Sequence, residues 1–306
     1  MNKIRIAVHG GAGTMPERLL TDEIKTACNN ALKKAMEMGY SILSSGGNAV
    51  DAVEAAVIEL ENFHLFNAGK GSVFTNKGKH EMDASIMDGK TLKCGAVAGV
   101  KNIKNPVVLA KKIMQNSEHI LLMGDGAEEF AKMMDVEFAD DNYFYNQLRF
   151  EQFQKAKEKE KIVLDHVDDK KFGTVGAVAL DENGNLAAAT STGGMTNKMF
   201  GRIGDSPLIG AGIYANNNRC AISCTGHGEF FIQYVVAYDL YCLMEYKNMT
   251  LNDAAEFIIN KKLKDVEGEG GLIAIDNLGN ISLPFNTKGM YRGCMKSESD
   301  FFTAIY

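Results

Sequence analysis

The 306-residue sequence predicts an α+β fold in which two sheets lie between helical layers. Three observations predict it. Stretches with the 3.6-residue apolar period of amphipathic helices occur in both halves of the chain. Short runs of small and apolar residues, bounded by Asn, Asp and Gly turns, read as antiparallel strands. The order is helices, a meander, helices, a charged stretch, strands, helices and a closing hairpin, so each half supplies one helical layer.

Taken in order, Ile4-Arg-Ile-Ala-Val8 alternates as a strand does and is expected to end in a tight glycine turn, His9-Gly-Gly-Ala-Gly13, beneath a site. The turn lacks the Gly-Lys-Ser/Thr ending and the Gly-x-Gly-x-x-Gly spacing of phosphate loops. From about Glu17 to Ser44 a helical period carries Leu20, Ile24, Ala27, Ala31, Ala35, Met38 and Ile42, until Gly46-Gly47 breaks it. Asn48 caps a second helix through Glu61, with Val50, Val53, Ala56, Val57 and Leu60 on one face. The glycine-punctuated loop Phe66 to Gly71 leads into Ser72 to Thr75. His80 to Asp88 and Cys94 to Val100 then form an antiparallel meander. Asp83, a charge within a small apolar strand, is read as a buried carboxylate satisfied by backbone amides. Asn105-Pro106 starts a helix through Gln115, with proline where its missing N–H costs least. A strand over 119–123 and a helix over 125–134 follow. Gln152 to Lys171 is dense in Lys, Glu and Asp, which reads as a solvated helix fading into a mobile linker over about 152–173.

The centre of the chain is Gly173-Thr174-Val-Gly-Ala-Val-Ala-Leu180, the turn Asp181-Glu-Asn-Gly-Asn185, and Leu186-Ala-Ala-Ala-Thr-Ser-Thr192-Gly-Gly194. Folding the two runs together about Asn183 sets Thr192 opposite Thr174, within one position. Beyond lie a glycine-rich loop with Arg202 and Asp205 and strands over 209–214 and 220–224. Then come a long helix from Phe230 to Tyr246, a helix from about Asn252 to Lys262 after Thr250, and a closing hairpin over 270–284.

Composition excludes several classes. The 45% apolar and 24% charged content is that of an ordinary globular protein, which can bury a large core without staples. A net charge of −6 without a basic stripe argues against nucleic acid. No run approaches the roughly 20 apolar residues of a membrane helix, so no membrane partner is expected. The first nine residues lack the apolar core of a secretory signal, and the expected location is cytoplasmic. The six cysteines form no Cys-x-x-Cys pair and read as free, mostly buried thiols.

A threonine directly after glycine at the head of a strand suits an N-terminal nucleophile. Cleavage of the Gly173–Thr174 bond would give Thr174 an α-amine of pKa about 7.7–8.0, a suitable base for its own hydroxyl. Gly173, lacking a Cβ, can accept a strained geometry while the hydroxyl attacks its carbonyl. Thr192 is placed to hydrogen-bond the nucleophile. Thr225-Gly226, where a strand gives way to a helix, can offer a hydroxyl and N–H groups to an oxyanion. Arg202 and Asp205 can hold the carboxylate and ammonium of an amino acid; the alternative is a surface salt bridge between them.

Several motifs in this order carry a resemblance: His9 to Gly13, Gly47-Asn-Ala-Val-Asp-Ala-Val53, Leu65-Phe-Asn-Ala-Gly69, Gly173 to Val178, Ala189 to Gly194, Gly201-Arg-Ile-Gly-Asp-Ser-Pro207 and Thr225-Gly-His-Gly228. Over nearly its whole length the chain resembles the plant-type L-asparaginase and isoaspartyl peptidase family of N-terminal nucleophile hydrolases. The resemblance implies a four-layer αββα sandwich that cuts itself into an α subunit, 1–173, and a β subunit, 174–306, which assemble as (αβ)₂. It implies Thr174 as nucleophile, Thr192 as its partner, Thr225 and Gly226 as oxyanion hole and Asn67 as support. Substrate would be bound by Arg202, Ile203, Gly204, Asp205, Thr225, Gly226, His227 and Gly228. No organic cofactor is implied. A structural sodium or potassium ion is, held by the backbone carbonyls of Leu60, Phe63, Phe66, Ala68 and Lys70. The implied activity is hydrolysis of β-aspartyl dipeptides and L-asparagine through a threonine β-aspartyl ester. Two rivals are an aspartylglucosaminidase-like hydrolase of glycosylated asparagine and an uncut protein that only binds amino acids.

Overall fold

The computed structural model describes residues 4–13, 20–162 and 173–306. Among these lie two sheets. The larger contains eight strands in the order β12-β11-β1-β5-β6-β2-β3-β4. They are β1 (Arg5–Gly13), β2 (Met82–Asp88), β3 (Cys94–Val100), β4 (Leu121–Met123), β5 (Val175–Leu180), β6 (Leu186–Thr192), β11 (Gly289–Ser297) and β12 (Asp300–Ala304). The smaller has the order β10-β9-β8-β7, formed by β7 (Ile213–Asn216), β8 (Cys220–Gly226), β9 (Gly270–Asp276) and β10 (Ile281–Ser282). Among the described residues, β3–β4 is the one parallel pairing between named strands.

Local chemistry explains the helices. Helix α1 (Asp22–Ser44) starts where the Thr21 hydroxyl accepts the Ile24 N–H, and it buries Cys28, Leu32, Ala35, Met36 and Leu43. Asn48 caps α2 (Ala49–Glu61) through the Asp51 N–H, as its position in the sequence predicts. Pro106 opens α3 (Pro106–Asn116). The helices α1, α2 and α3 share one apolar cluster with the outer face of the large sheet, including Ile6, Val8, Val53, Val57, Ile86, Val175 and Ala177. A second cluster joins the smaller sheet to α8 (Val236–Lys247) and α9 (Leu251–Phe257). A third lies between the sheets, through Val178, Leu180, Ala188, Ile213, Ala221 and Ile273. Small residues on β5 and β6 let these layers approach closely. Among the described residues no helix is long and apolar enough to cross a membrane.

Several elements differ from expectation. The run His9 to Gly13 is the second half of β1 and not a turn: the pairing with β11 skips Gly10, a bulge that redirects the strand. The helix expected from Phe230 to Tyr246 is two helices, α7 (Gly228–Gln233) and α8, broken at Val235 (φ +46°). The break frees the N–H groups of Ala237 and Tyr238 for the carbonyls of Ala211 and Gly210. Helix α9 ends at Phe257 and continues into a wider turn over Ile258–Leu263. After the short helices α4 (Gly124–Met133) and α5 (Asp141–Phe144), the charged stretch is helical as α6 (Gln147–Ile162); the expected linker beyond it lies outside the described residues up to Gly173. All six cysteines are free.

Candidate active site

The hairpin β5–β6 brings the two threonines together. Its turn is tied by Asp181, whose Oδ1 accepts the N–H groups of Asn183 and Asn185 at 3.0 and 2.8 Å. Val175 pairs with Ser191, so Thr174 faces Thr192 as the turn position predicts. The Thr174 hydroxyl donates to Thr192 Oγ1 at 3.2 Å, and Thr192 Oγ1 also accepts the Gly194 N–H at 3.0 Å. Both side chains are buried.

The carbonyl in front of Thr174 is held as well. The Asn67 N–H donates to Gly173 O at 3.0 Å, and an N–H aimed there draws electron density from the carbon that the Thr174 hydroxyl would attack. Asn67 spends its other polar groups around the same place. Its carbonyl accepts the Gly193 N–H at 3.0 Å, Nδ2 donates to Gly194 O at 2.7 Å, and Oδ1 accepts the Val73 N–H at 3.0 Å. Gly11, at φ +111°, faces Gly173 so closely that a Cβ there would lie 2.5 Å from the Gly173 Cα. That contact gives the bulge in β1 its reason.

Beneath Thr174 runs a buried polar row that the sequence reading missed. His9 Nδ1 lies 3.0 Å from Thr174 O, Nε2 lies 2.8 Å from Ser223 Oγ, and Ser223 Oγ lies 2.8 Å from Thr190 Oγ1. A carbonyl only accepts, so Nδ1 carries the proton, Nε2 accepts from Ser223, and Ser223 accepts from Thr190. Burial lowers the His9 pKa from 6.5 to about 3, so the ring is neutral. The only signal was a histidine leading a glycine run.

The recognition side is built from the loop after β6 and the start of α7. Asp205 is buried, and among the described residues its Oδ2 has no hydrogen-bond partner. Burial raises its pKa from 3.8 to about 7, with Arg202 pulling the other way. The surface salt bridge is not what forms: Arg202 gives Nε and Nη2 to the two carboxylate oxygens of Glu229, both at 2.9 Å. Glu229, in the first turn of α7, escaped the sequence reading; its Oε2 lies 3.2 Å from His227 Nε2. Gly173, Thr174, Thr192, Gly194, Met195, Arg202, Gly204, Asp205, Ser206 and Gly226 line one narrow cleft. It encloses about 10 Å³, room for about one water molecule. Gly228 backs the cleft, since a Cβ on it would meet Asp205 Oδ1 at 2.8 Å. Three expected residues, Ile203, Thr225 and His227, do not line it. The Thr225 hydroxyl accepts the Ala12 N–H of β1 at 3.2 Å, which leaves its own O–H free to donate.

Asp83 lies directly across from Thr192 in β2; among the described residues it accepts only the Gly99 N–H, at 2.8 Å, and its Oδ2 has no partner. The expectation of a fully satisfied carboxylate is thus half met. The buried ammonium of Lys198, which donates to Glu81 O at 2.7 Å, is the charge that most offsets the burial of Asp83. A larger groove of about 420 Å³ lies elsewhere, along Asp51, Asp88, Lys90, Lys93 and Asp181. Its carboxylates are engaged by local donors, and it contains none of the expected site residues. The cleft at Thr174 is therefore the candidate site.

It brings together a hydroxyl, an N–H donor on the glycine carbonyl before it, and a guanidinium and a buried carboxylate on the facing wall. The chain belongs to the asparaginase family, whose model matches residues 2–305. It is 50% identical to the isoaspartyl peptidase of Escherichia coli (strain K12), across 100% of this chain and 97% of that protein. It is 45% identical to the isoaspartyl peptidase/L-asparaginase of Mus musculus, across 95% and 88%, and 42% identical to that of Xenopus laevis, across 96% and 92%.

Proposed function

We propose that this protein is an isoaspartyl peptidase and L-asparaginase that activates itself by cutting between Gly173 and Thr174. The observation that carries the reading is the Thr174 hydroxyl, paired with Thr192 in the same cleft as Arg202 and an Asp205 oxygen that has no partner among the described residues. In the intact chain the Thr174 nitrogen is an amide and cannot act as a base. Its hydroxyl adds to the Gly173 carbonyl, the C–N bond breaks with the proton going to nitrogen, and an ester results. Water then hydrolyses that ester, which releases the Gly173 carboxylate and restores the Thr174 hydroxyl beside its freed amine. Gly173 lines the cleft, so the cut also opens space beside the nucleophile.

In the mature enzyme the substrate α-carboxylate meets the Arg202 guanidinium and the α-ammonium meets Asp205. Glu229 holds the guanidinium in plane for that contact. The Thr174 hydroxyl, relieved of its proton by its own amine, attacks the β-carbonyl. Gly226, with Thr225, steadies the developing oxyanion; Gly204 lines the wall, and Ile203, His227 and Gly228 adjoin the lining residues and support them from outside the cleft. The leaving amine takes the proton; water hydrolyses the β-aspartyl ester and frees aspartate. The names of the relatives speak for β-aspartyl peptides and asparagine over glycosylated asparagine or mere binding.

The finer architecture belongs to the same reading: a four-layer αββα sandwich, α and β subunits of residues 1–173 and 174–306, and an (αβ)₂ assembly. No organic cofactor takes part. A structural sodium or potassium ion belongs to the same reading, because the successive turns of the loop that carries Asn67 gather backbone carbonyls, the hard oxygen donors that such an ion takes. The carbonyls of Leu60, Phe63, Phe66, Ala68 and Lys70 would hold it, and its part is structural.

Incubated protein run on a denaturing gel should give two fragments, the second beginning at Thr174, and this mature form should release aspartate from β-Asp-Leu and from asparagine. Thr174→Ala should stay whole and inactive. Cleavage of that variant at the same bond would end the proposal.

A further inference from the structure

Helix α6 carries a guanidinium that the reaction above does not use. Arg149 donates from Nε to Gly71 O at 3.1 Å, from Nη2 to Leu65 O at 2.8 Å, and from Nη1 to Gln152 Oε1 at 3.2 Å. It makes no ion pair among the described residues. Burial lowers its pKa to about 10, which leaves it charged at neutral pH. A desolvated cation facing carbonyls is an expensive way to satisfy two backbone oxygens that water or an amide could serve. Its advantage is shape: a rigid fork fixes two acceptors relative to one another.

Those two acceptors bracket Asn67. Leu65 and Gly71 are the shoulders of the loop, and Asn67 between them holds Gly173 O with its N–H and Gly194 O with its side chain. Asn146 adds a bond from Nδ2 to His64 O at 2.8 Å, and Phe74 packs against Phe150 and Phe153 of α6 with ring centres 5.7 Å apart. A continuous path of bonds thus runs from α6 through the loop to the carbonyl before Thr174.

We propose that Arg149 is a positioning residue: its fork clamps the Leu65–Gly71 loop so that Asn67 stands correctly for self-cleavage and for turnover. The proposal rests on the hydrolase reading above. It assigns to α6, the last described element before the cut, a part in aligning the bond that is cut.

Three variants test it: Arg149→Met, which keeps bulk without charge, Arg149→Lys, which keeps charge without the fork, and Arg149→Ala. The readouts are the rate of the 173/174 cut, kcat and KM of matured protein on β-Asp-Leu, and amide hydrogen exchange over residues 64–74. For Arg149→Met the cut should slow by about 100-fold, as for a displaced catalytic frame. Its kcat should fall while KM stays within about twofold, since the Arg202–Asp205 side is untouched. Exchange in the loop should rise. Arg149→Lys should recover only part of the rate. Millimolar guanidinium ion should speed Arg149→Ala, whereas sodium at equal ionic strength should not. Cutting and turnover at wild-type rates in Arg149→Met and Arg149→Lys would overturn the clamp. So would a loss carried by KM alone, or one without greater loop exchange. A wild-type protein that neither cuts nor hydrolyses β-aspartyl substrates would end the functional reading instead. The exchange comparison would still decide the clamp.

Discussion

Asp205 and His9 both sit in the charge state that burial favours, and they tilt the pH dependence of stability in opposite directions. The pKa of Asp205 is raised from 3.8 to about 7, so between about pH 4 and 7 the folded chain keeps a proton that the unfolded chain has lost. Its contribution is intact at low pH and is lost as pH rises through that window. The pKa of His9 is lowered from 6.5 to about 3, so its contribution is present above about 6.5 and fades as pH falls. Replacing Asp205 by the isosteric Asn removes one arm of this balance. At pH 8, Asp205→Asn should melt above the wild type, and the gap should close below about pH 4. The same variant should raise KM for β-Asp-Leu by roughly 10- to 100-fold through loss of a charged hydrogen bond to the substrate ammonium. Melting curves at both pH values check the first claim, and an equal gap at pH 4 and pH 8 would remove burial of the charge as its cause. Substrate should in turn stabilise the wild type most where Asp205 must be ionised.

At the scale of elements, what the sequence announces is what local chemistry decides. The Asp181–Asn185 turn holds itself with side chain to backbone bonds, so the register of Thr174 and Thr192 could be read before any tertiary contact was known. The cap at Asn48 was readable for the same reason. Illegible elements depend on distant partners. The strand character of His9 to Gly13 comes from pairing with Tyr291, Met290 and Gly289, more than 270 residues away, and those strands left no mark in the reading of the C-terminus. Likewise Glu229 could not be joined to Arg202, nor Ser223 to His9, until β8 and α7 were in place. The break between α7 and α8 is set by tertiary bonds to Gly210 and Ala211. It forces Val235, a β-branched residue 44% exposed, into left-handed backbone at φ +46°. Such a residue strains there by about 1–2 kcal/mol, whereas asparagine tolerates the conformation. Val235→Asn should therefore stabilise the protein by roughly 1 kcal/mol without altering turnover. Chemical denaturation reads the gain directly, and a loss of stability would show that the Val235 side chain contributes more by contact than its backbone loses by strain.

For the whole molecule, the position of the proposed cut within the sheet order has a mechanical consequence. Residues 1–173 supply β1, β2, β3 and β4 to the large sheet, and residues 174–306 supply β5, β6, β11 and β12. These do not segregate. Strand β1 lies between β11 and β5, both from the other side of the cut, and β2 pairs with β6. Three ladders would have to come apart to separate the pieces. The cluster that packs Val53 and Val57 of α2 against Val175 and Ala177 of β5 would be torn open with them. An isolated first piece would expose both edges of β1 and the whole inner edge of β2, an arrangement that invites aggregation rather than independent folding. Cutting one peptide bond removes none of these contacts. The mature form should therefore elute as one species at neutral pH without denaturant and unfold in a single cooperative transition. Residues 1–173 produced alone should be insoluble or unfolded. Size-exclusion chromatography of fully cut protein, with both fragments resolved afterwards on a denaturing gel, makes the measurement. Recovery of two separately folded fragments from that column would mean that the interleaved strands do not bind the halves together.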